Sequence, residues 1–556
     1  MSPSHGRHRA RRSLSAPAKA LLAAACVIAL VAVGLLVTRP WDDGSTTAGD
    51  AGTRPSRSSP SAGSSSAGGT PIVAVWTGTP DDPMVTKLAA RMGNSSYHLV
   101  AASSESEADV LLTTGTTSGP AQVATTPVVL AMPPAMAQVA GTPTPQNLQA
   151  WMNGKKTWAS EGKPAWGRFT LTVPDPKSNP LGAVAYGALT TMVNGGPITA
   201  EPNLLQPTDA ELAVLHAGQA MNPVPTTAAA DATLDASSVD AFAAKTSGVL
   251  TTEQAVMAHN ATRGALSFFP IPLLGGVAAL PVNAAVAPQA KNRQAAGMVL
   301  RDLRSADGRE ALKAAGFRGP KGEAPDSPTA LKLTAPQFFS DAQLAAARTG
   351  FATAQRRNSI LAVLDLSGSM NNTFGTTGQS KIALLKQLTG LSYTVASPKS
   401  VSSVWFFASR GGKDEVYDEA PLAENDKLID GKRHAESVIE QTQRQSAVGG
   451  TPLYLAIERA YDYAVKNYTP GMTNQVLVLS DGADEDNFNS LTVDETAAYV
   501  ARRYNPDKPV QLTLLLTSPK ENGAELSKIA AAGHGKAVPV TSEADVPKIF
   551  AAAIRS

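Results

Sequence analysis

Ser359-Ile360-Leu361-Ala362-Val363-Leu364-Asp365-Leu366-Ser367-Gly368-Ser369-Met370 is the stretch from which the fold reads outward. Ile360 to Leu364 form an unbroken apolar run, the pattern of a strand buried on both faces of a parallel sheet. The run ends in oxygen-bearing side chains at alternate positions, Asp365, Ser367 and Ser369, and Gly368 lets the backbone turn tightly between them. Loops at the carboxyl ends of parallel strands are where such sheets bind ligands. An all-oxygen donor set suits a hard divalent cation: Mg²⁺, or else Mn²⁺ or Ca²⁺.

Two further stretches complete the pattern. Gly449-Gly450-Thr451-Pro452 precedes an amphipathic helical segment, and Gln475-Val476-Leu477-Val478-Leu479-Ser480-Asp481-Gly482 is a second buried strand ending in an acid. An EF-hand reading of the Asp365 loop fails, because its twelfth position is Thr376 where a glutamate is required. With D-x-S-x-S at Asp365–Ser369, the threonine loop and the second aspartate in order, the region resembles the von Willebrand factor A (VWA) family. The resemblance implies a doubly wound, Rossmann-like α/β domain over 358–553. Further strands are expected at Val404–Phe407, Val510–Leu516 and Lys536–Val540, and a last helix from Ala544. It implies a metal-ion-dependent adhesion site in which Ser367, Ser369 and Thr451 bind the ion directly and Asp365 and Asp481 bind directly or through water. One coordination position is then left for an acidic residue of a protein partner. The neighbouring Asp484-Glu485-Asp486 reads as a solvated loop, or as a source of negative field at the rim.

Upstream, 71–335 alternates short apolar runs with helical periodicity. Pro71–Trp76, Ala108–Thr113 and Pro127–Ala131 read as strands, while Met84, Leu88 and Met92 share a helix face. This is an α/β pattern with a mainly parallel sheet. Arg168–Pro176 leads through a polar turn into a helix, whose free N–H groups favour anions; Ser178 is the candidate ligand there, or else a helix cap. VPDPKSNPLGAVAYGAL (Val173–Leu189), PLLGGVAALPVNAAVAP (Pro272–Pro288) and RQAAGMVLRDLRSADGREALKAAGFR (Arg293–Arg318) resemble segments of type 2 bacterial solute-binding proteins, the molybdate-binding branch above all. That resemblance implies two α/β lobes closing on a small anionic solute. The segment after the first strand, Thr77–Asp82, lacks the family's serine-bearing oxyanion loop.

The amino-terminal segment carries Arg7, Arg9, Arg11, Arg12 and Lys19, then Ala20–Val37 without a charge, about 18 residues and the short end of a bilayer-spanning helix. The expectation is a cytoplasmic tail over 1–19, a transmembrane signal anchor over 20–38, and a Ser/Gly/Pro-rich linker over 39–70. This gives a single-pass cell-membrane protein with its carboxyl-terminal domains extracellular. A cleaved signal peptide is the rival, though no small-x-small site follows Val37. Ala23–Cys26 as a lipobox and Arg11–Leu14 as a twin-arginine signal are weaker readings.

The connector 336–357 carries helical periodicity (Phe338, Phe339, Leu344, Phe351), which points to a packed joint. A net charge of +2 across 556 residues, with no basic stripe, excludes a nucleic-acid footprint. The lone cysteine, Cys26, excludes internal disulfides. No H-E-x-x-H, G-x-S-x-G, P-loop or G-x-G-x-x-G occurs, and His434 and His534 read as surface or structural. The expected function is therefore binding and not catalysis: adhesion to a protein partner through the cation, or alternatively a solute receptor or sensor that signals to the VWA domain. A chelatase-like enzyme subunit is disfavoured, since an exported domain meets no ATP.

Overall fold

The computed structural model describes residues 70–540 and 542, apart from 79, 81, 93–94, 117–118, 197–207, 263–264, 274–276, 328–329, 334, 376–377, 482–483 and 485–490. Mixed α/β architecture runs throughout. The first sheet contains β1 (Ile72–Trp76), β2 (His98–Ala101), β3 (Val110–Thr114), β4 (Gln122–Met132), β5 (Leu171–Pro174), β6 (Met221–Val224), β7 (Gly248–Thr252), β8 (Phe269–Pro272), β9 (Val277–Val286) and β10 (Pro336–Gln337). Its order is β2-β1-β3-β9-β4-β7-β5-β6, with β10 beside β9 and β8 beside β4.

The two ends of this sheet match the expected parallel arrangement, as does the short β10–β9 pair. β1 pairs parallel with β2 and β3, and β5 with β6 and β7. In the middle, β9 runs antiparallel to β3 and β4, and β4 antiparallel to β7. An apolar run reports burial on both faces but carries no direction, so the reversal is invisible in the residues themselves.

These two long central strands divide between two hydrophobic cores. Val123 and Ala124 of β4 and Val282 and Ala284 of β9 join Val73, Leu88, Val110, Val299 and Leu312. Val128–Met132 of β4, with Ala278 and Leu280 of β9, join Leu171, Tyr186, Val249 and the fully buried Trp158. The region is thus two-lobed, with β4 and β9 crossing from one lobe to the other. In the first lobe the helix Pro83–Met92 buries Met84, Leu88 and Met92, the four-residue spacing of one face.

The connector helix Asp341–Ala354 is capped by Ser340 and Gln343 in a reciprocal capping box. It lays Leu344, Ala347 and Phe351 into the second lobe's core, with Phe351 edge-on to Tyr186 at 5.5 Å.

The second sheet follows: β11 (Asn358–Asp365), β12 (Val401–Arg410), β13 (Lys413–Glu424), a separate two-stranded hairpin β14 (Leu428–Ile429) and β15 (Lys432–Arg433), then β16 (Thr473–Ser480), β17 (Val510–Leu516) and β18 (Lys536–Pro539). The six-stranded order is β13-β12-β11-β16-β17-β18. Every neighbouring pair is parallel except β12–β13. Lys381–Val395 and His434–Arg444 pack on one face, and Leu453–Lys466, Val493–Arg503 and Pro519–Ala532 on the other. Covering both faces is what lets Ile360–Leu364, Val476–Leu479 and Leu514–Leu516 be unbroken apolar runs.

The localisation expected from sequence needs correction. Among the described residues no helix is long and apolar enough to cross a membrane, and the segment 20–38 lies outside them. The single-pass, membrane-anchored placement is therefore withdrawn. The last helix expected from Ala544 also lies outside the described residues.

Candidate functional site

β11 is central in the second sheet, and its final residue, Asp365, is fully buried. The parallel register aligns Leu364 with Leu479 of β16, so that β16 ends at Ser480 and delivers Asp481 beside Asp365. One Asp365 oxygen, Oδ1, accepts the backbone N–H of Ser367 at 2.7 Å. The other, Oδ2, accepts the Ser480 hydroxyl at 2.5 Å. Ser367 and Ser369 bring their hydroxyl oxygens within 3.0 Å of one another. A 3₁₀ turn over Gly368–Asn371 produces that approach.

The threonine loop is sewn onto the same corner by backbone bonds. Gly368 N–H donates to Gly449 O at 2.8 Å, and Val448 N–H to Leu366 O at 2.7 Å. Ser409, near the end of β12, and Gly450 exchange two more bonds, at 2.9 and 3.2 Å. Thr451, two residues after Gly449, is buried, and so is Asp481.

The electrostatics of this corner are those of a desolvated acidic site. Burial pushes the Asp365 carboxyl up to about 6; hydrogen bonds from Ser367 and Ser480 oppose the shift, and the nearby Asp481 charge adds to it. Among the described residues no group of three or more His, Cys, Asp or Glu could hold a metal. The five oxygen donors here include only two carboxylates, so any ion held by them would rely on hydroxyls as well. The donor set still fits a hard divalent cation: all ligands are oxygen, and the buried acid favours a nearby positive charge.

Three partners in the site were not legible in the sequence. Ser480 lies inside the quoted strand yet turns its hydroxyl onto Asp365. Lys381, at the start of the helix Lys381–Val395, places its ammonium 2.9 Å from Asp481 Oδ2. Asp484 accepts the Tyr454 N–H at 3.1 Å, so this member of the acidic cluster caps the helix Leu453–Lys466 from across the site. That helix begins at Pro452, which supplies no side-chain cap of its own.

Ser178 lies far from this constellation, in the first domain, and is exposed. The capping residue of the helix Pro180–Asn194 is its neighbour Asn179, whose Oδ1 accepts from Leu181 N and Gly182 N at 2.9 and 3.3 Å. Two of the free N–H groups expected to face an anion are thus satisfied by the chain itself. His434 is fully buried, its Nε2 at 2.8 Å from Ser402 O, and His534 stacks on Tyr504 at 3.8 Å.

The two domains also touch directly. Lys399 Nζ donates to Asn222 Oδ1 at 2.6 Å, Gln219 Nε2 to Val395 O at 3.1 Å, and Arg168 pairs with Asp426 at 2.5 Å. A cleft of about 590 Å³ opens between them, lined among others by Trp151, Arg168, His216, Tyr393, Asp426 and Arg433.

Against known proteins, residues 67–318 match the family described as bacterial extracellular solute-binding protein. That match spans a little under half of the chain. An uncharacterized protein of Mycobacterium tuberculosis, in strains CDC 1551 and H37Rv, is 24% identical over 416 residues. The match covers 70% of this chain but only 57% of that relative, so the chain spans little more than half the length of the curated proteins it matches. Among solved structures, the sulfate-binding protein SubI of M. tuberculosis H37Rv is 8% identical with a TM-score of 0.31, covering 45% of this chain and 87% of that one. A von Willebrand factor type A protein from Catenulispora acidiphila is 20% identical with a TM-score of 0.27, covering 36% and 42%. Structural likeness at this level locates neither ligand nor site.

Proposed function

We propose that this chain is an extracytoplasmic binding protein, not an enzyme, whose second domain is of VWA type and grips a protein partner through a divalent cation, Mg²⁺ first. Asp365, Ser367, Ser369, Thr451 and Asp481 hold the ion, and an acidic side chain of the partner completes its coordination. The observation that carries this reading is the convergence of Asp365 and Asp481, from the adjacent ends of β11 and β16, with the paired Ser367 and Ser369 hydroxyls. Two carboxylates carry too little charge to hold an ion as a closed structural site of carboxylates would. An incompletely coordinated cation at a domain surface acts as an affinity device, because a partner carboxylate gains a charge-assisted bond in a partly desolvated setting.

The solute-binding match over 67–318 supports a second reading, in which the two lobes take up a small solute, an oxyanion being one class, and report it to the second domain. The direct Arg168–Asp426 contact is the physical route for such coupling.

The deciding experiment is calorimetric titration of the full chain with MgCl₂, repeated on Asp365→Ala, followed by capture of envelope proteins with and without chelator. Magnesium binding that disappears in the variant, with capture that disappears in chelator, supports the cation-bridged reading. Capture indifferent to both would sink it and turn attention to small anions, whose binding raises the melting temperature of the first domain.

A further inference from the structure

The acidic site contains a positive charge of its own. Lys381 is buried, and its Nζ lies 2.9 Å from Asp481 Oδ2 and 3.2 Å from Ser518 Oγ, a residue just beyond β17. Lysine is almost never this buried unless paired, and the pair here is with one of the proposed cation ligands. The backbone around the lysine is also held. Lys381 N–H donates to Asn372 O at 3.0 Å, and Ser380 caps the helix through Ala383 N. Asn372 directly follows the 3₁₀ turn that carries Ser369, so the lysine is tied to the first ligand loop by its backbone and to the third by its side chain.

We propose that Lys381 is a built-in counter-charge that sets the divalent-cation affinity of the Asp365–Asp481 site. This rests on the cation reading above. Two carboxylates give the site a formal charge of −2, and one adjacent ammonium halves it. At separations near 5 Å, one unit charge alters the affinity for a divalent ion by roughly tenfold even at the dielectric of bulk water, and by several powers of ten at an effective dielectric of about 20. A site so moderated binds its cation loosely by itself and tightly only when a partner carboxylate adds the missing negative charge. Lys381 thereby makes cation and partner bind together instead of in sequence. It is a positioning and charge-setting residue, and does not itself ligate the ion.

The test uses the full chain and MgCl₂ alone, with binding read by calorimetry and stability by melting temperature in EDTA. Lys381→Met is expected to bind Mg²⁺ at least about tenfold more tightly than the wild type and to melt lower in EDTA, because Asp481 has lost its partner. Lys381→Arg keeps the charge and is expected to keep wild-type affinity. Should Lys381→Met fail to fold, Lys381→Gln carries the same comparison. Unchanged or weaker binding in the neutral variant, with the wild type binding, overturns the counter-charge while leaving the cation site standing. Tighter binding in the arginine variant also overturns it, since packing and not charge would then be the cause. Binding in neither wild type nor variant removes the cation reading and this proposal together. Binding in the neutral variant alone supports the counter-charge in its strongest form, a site held shut by its own lysine.

Discussion

The guanidinium of Arg168, in the first domain, lies 2.5 Å from the carboxylate of Asp426 in the second, a pairing across 258 positions of sequence. Their side chains retain 32% and 25% of their exposure, so the pair sits at the rim of the interdomain cleft and not inside it. Partly exposed ion pairs contribute about 0.5–1 kcal/mol and are screened by salt. A double-mutant cycle of Arg168→Ala and Asp426→Ala, followed by urea unfolding, is expected to return a coupling energy in that range at low salt. The coupling should vanish near 1 M NaCl. A coupling that survives high salt would mean the pair is more deeply desolvated than its exposure indicates.

A different magnitude applies to Glu253 and Arg318. Both are buried, and the guanidinium meets the carboxylate twice, at 2.7 and 2.8 Å. Leu331 donates its N–H to Glu253 Oε1 at 2.8 Å and accepts from Arg318 Nη2 at 2.5 Å, so the pair also pins the segment leading into the connector. Glu253→Gln preserves shape while removing the charge that compensates the buried guanidinium. The expected loss is about 3–5 kcal/mol, read as a lowered denaturation midpoint. Proteolysis should speed up first around Leu331, whose N–H and carbonyl both bond to this pair.

Much of this architecture is legible in the residues, and the rest is hidden for identifiable reasons. β11, β16 and β17 stand out because a strand covered on both faces carries an unbroken apolar run, and β1 because its short run IVAVW is wholly apolar. The loops of the candidate site stand out because oxygen donors crowd at the strand ends. Strand direction is not written in such runs, so nothing in their residues marks β4 and β9 as antiparallel. The cap of the helix Pro180–Asn194 falls on Asn179 and not on Ser178, because adjacent polar residues have similar capping preference and only the backbone angles decide between them. Lys381 and Asp481 are 100 positions apart, and nothing in either segment announces the other; the order of the strands brings them together.

Acid should stabilise the first domain through Asp231. Desolvation raises its carboxyl from an ordinary 3.8 to about 6; the hydrogen bond from Thr251 opposes the shift, Asp235 adds to it, and His259 lowers it. An acid with a raised native pKa keeps its proton longer in the folded state than in the unfolded chain. Stability is therefore greatest below about pH 4 and falls as pH rises through about 6. The loss amounts to about 2–3 kcal/mol for a shift of this size. Asp231→Asn can still accept from Thr251 Oγ1, now 2.5 Å away. The variant is expected to melt higher than the wild type at pH 7 and to match it at pH 4. Equal melting at both values would refute the desolvated carboxyl.

The corner that holds Thr451 depends on Gly449 having no side chain. Its φ is +86°, a region that L residues enter only with strain, and a Cβ there would stand 1.7 Å from Ser409 O. Neither conflict can be relieved by a rotamer, because the obstacle is backbone bonded to the adjoining Gly450. Gly449→Ala must therefore displace the loop from β12, and with it the Gly368–Gly449 bond that holds the threonine loop against Asp365. Gly471 supplies the control: its φ is +74°, but a Cβ there meets nothing within 4 Å. Gly471→Ala is expected to cost about 1–2 kcal/mol from backbone strain alone and to leave any Mg²⁺-dependent rise in melting temperature intact. Gly449→Ala is expected to destabilise by more than that and to abolish the Mg²⁺ response. If both variants keep the response equally, Thr451 does not need this loop geometry, and its place among the proposed ligands falls.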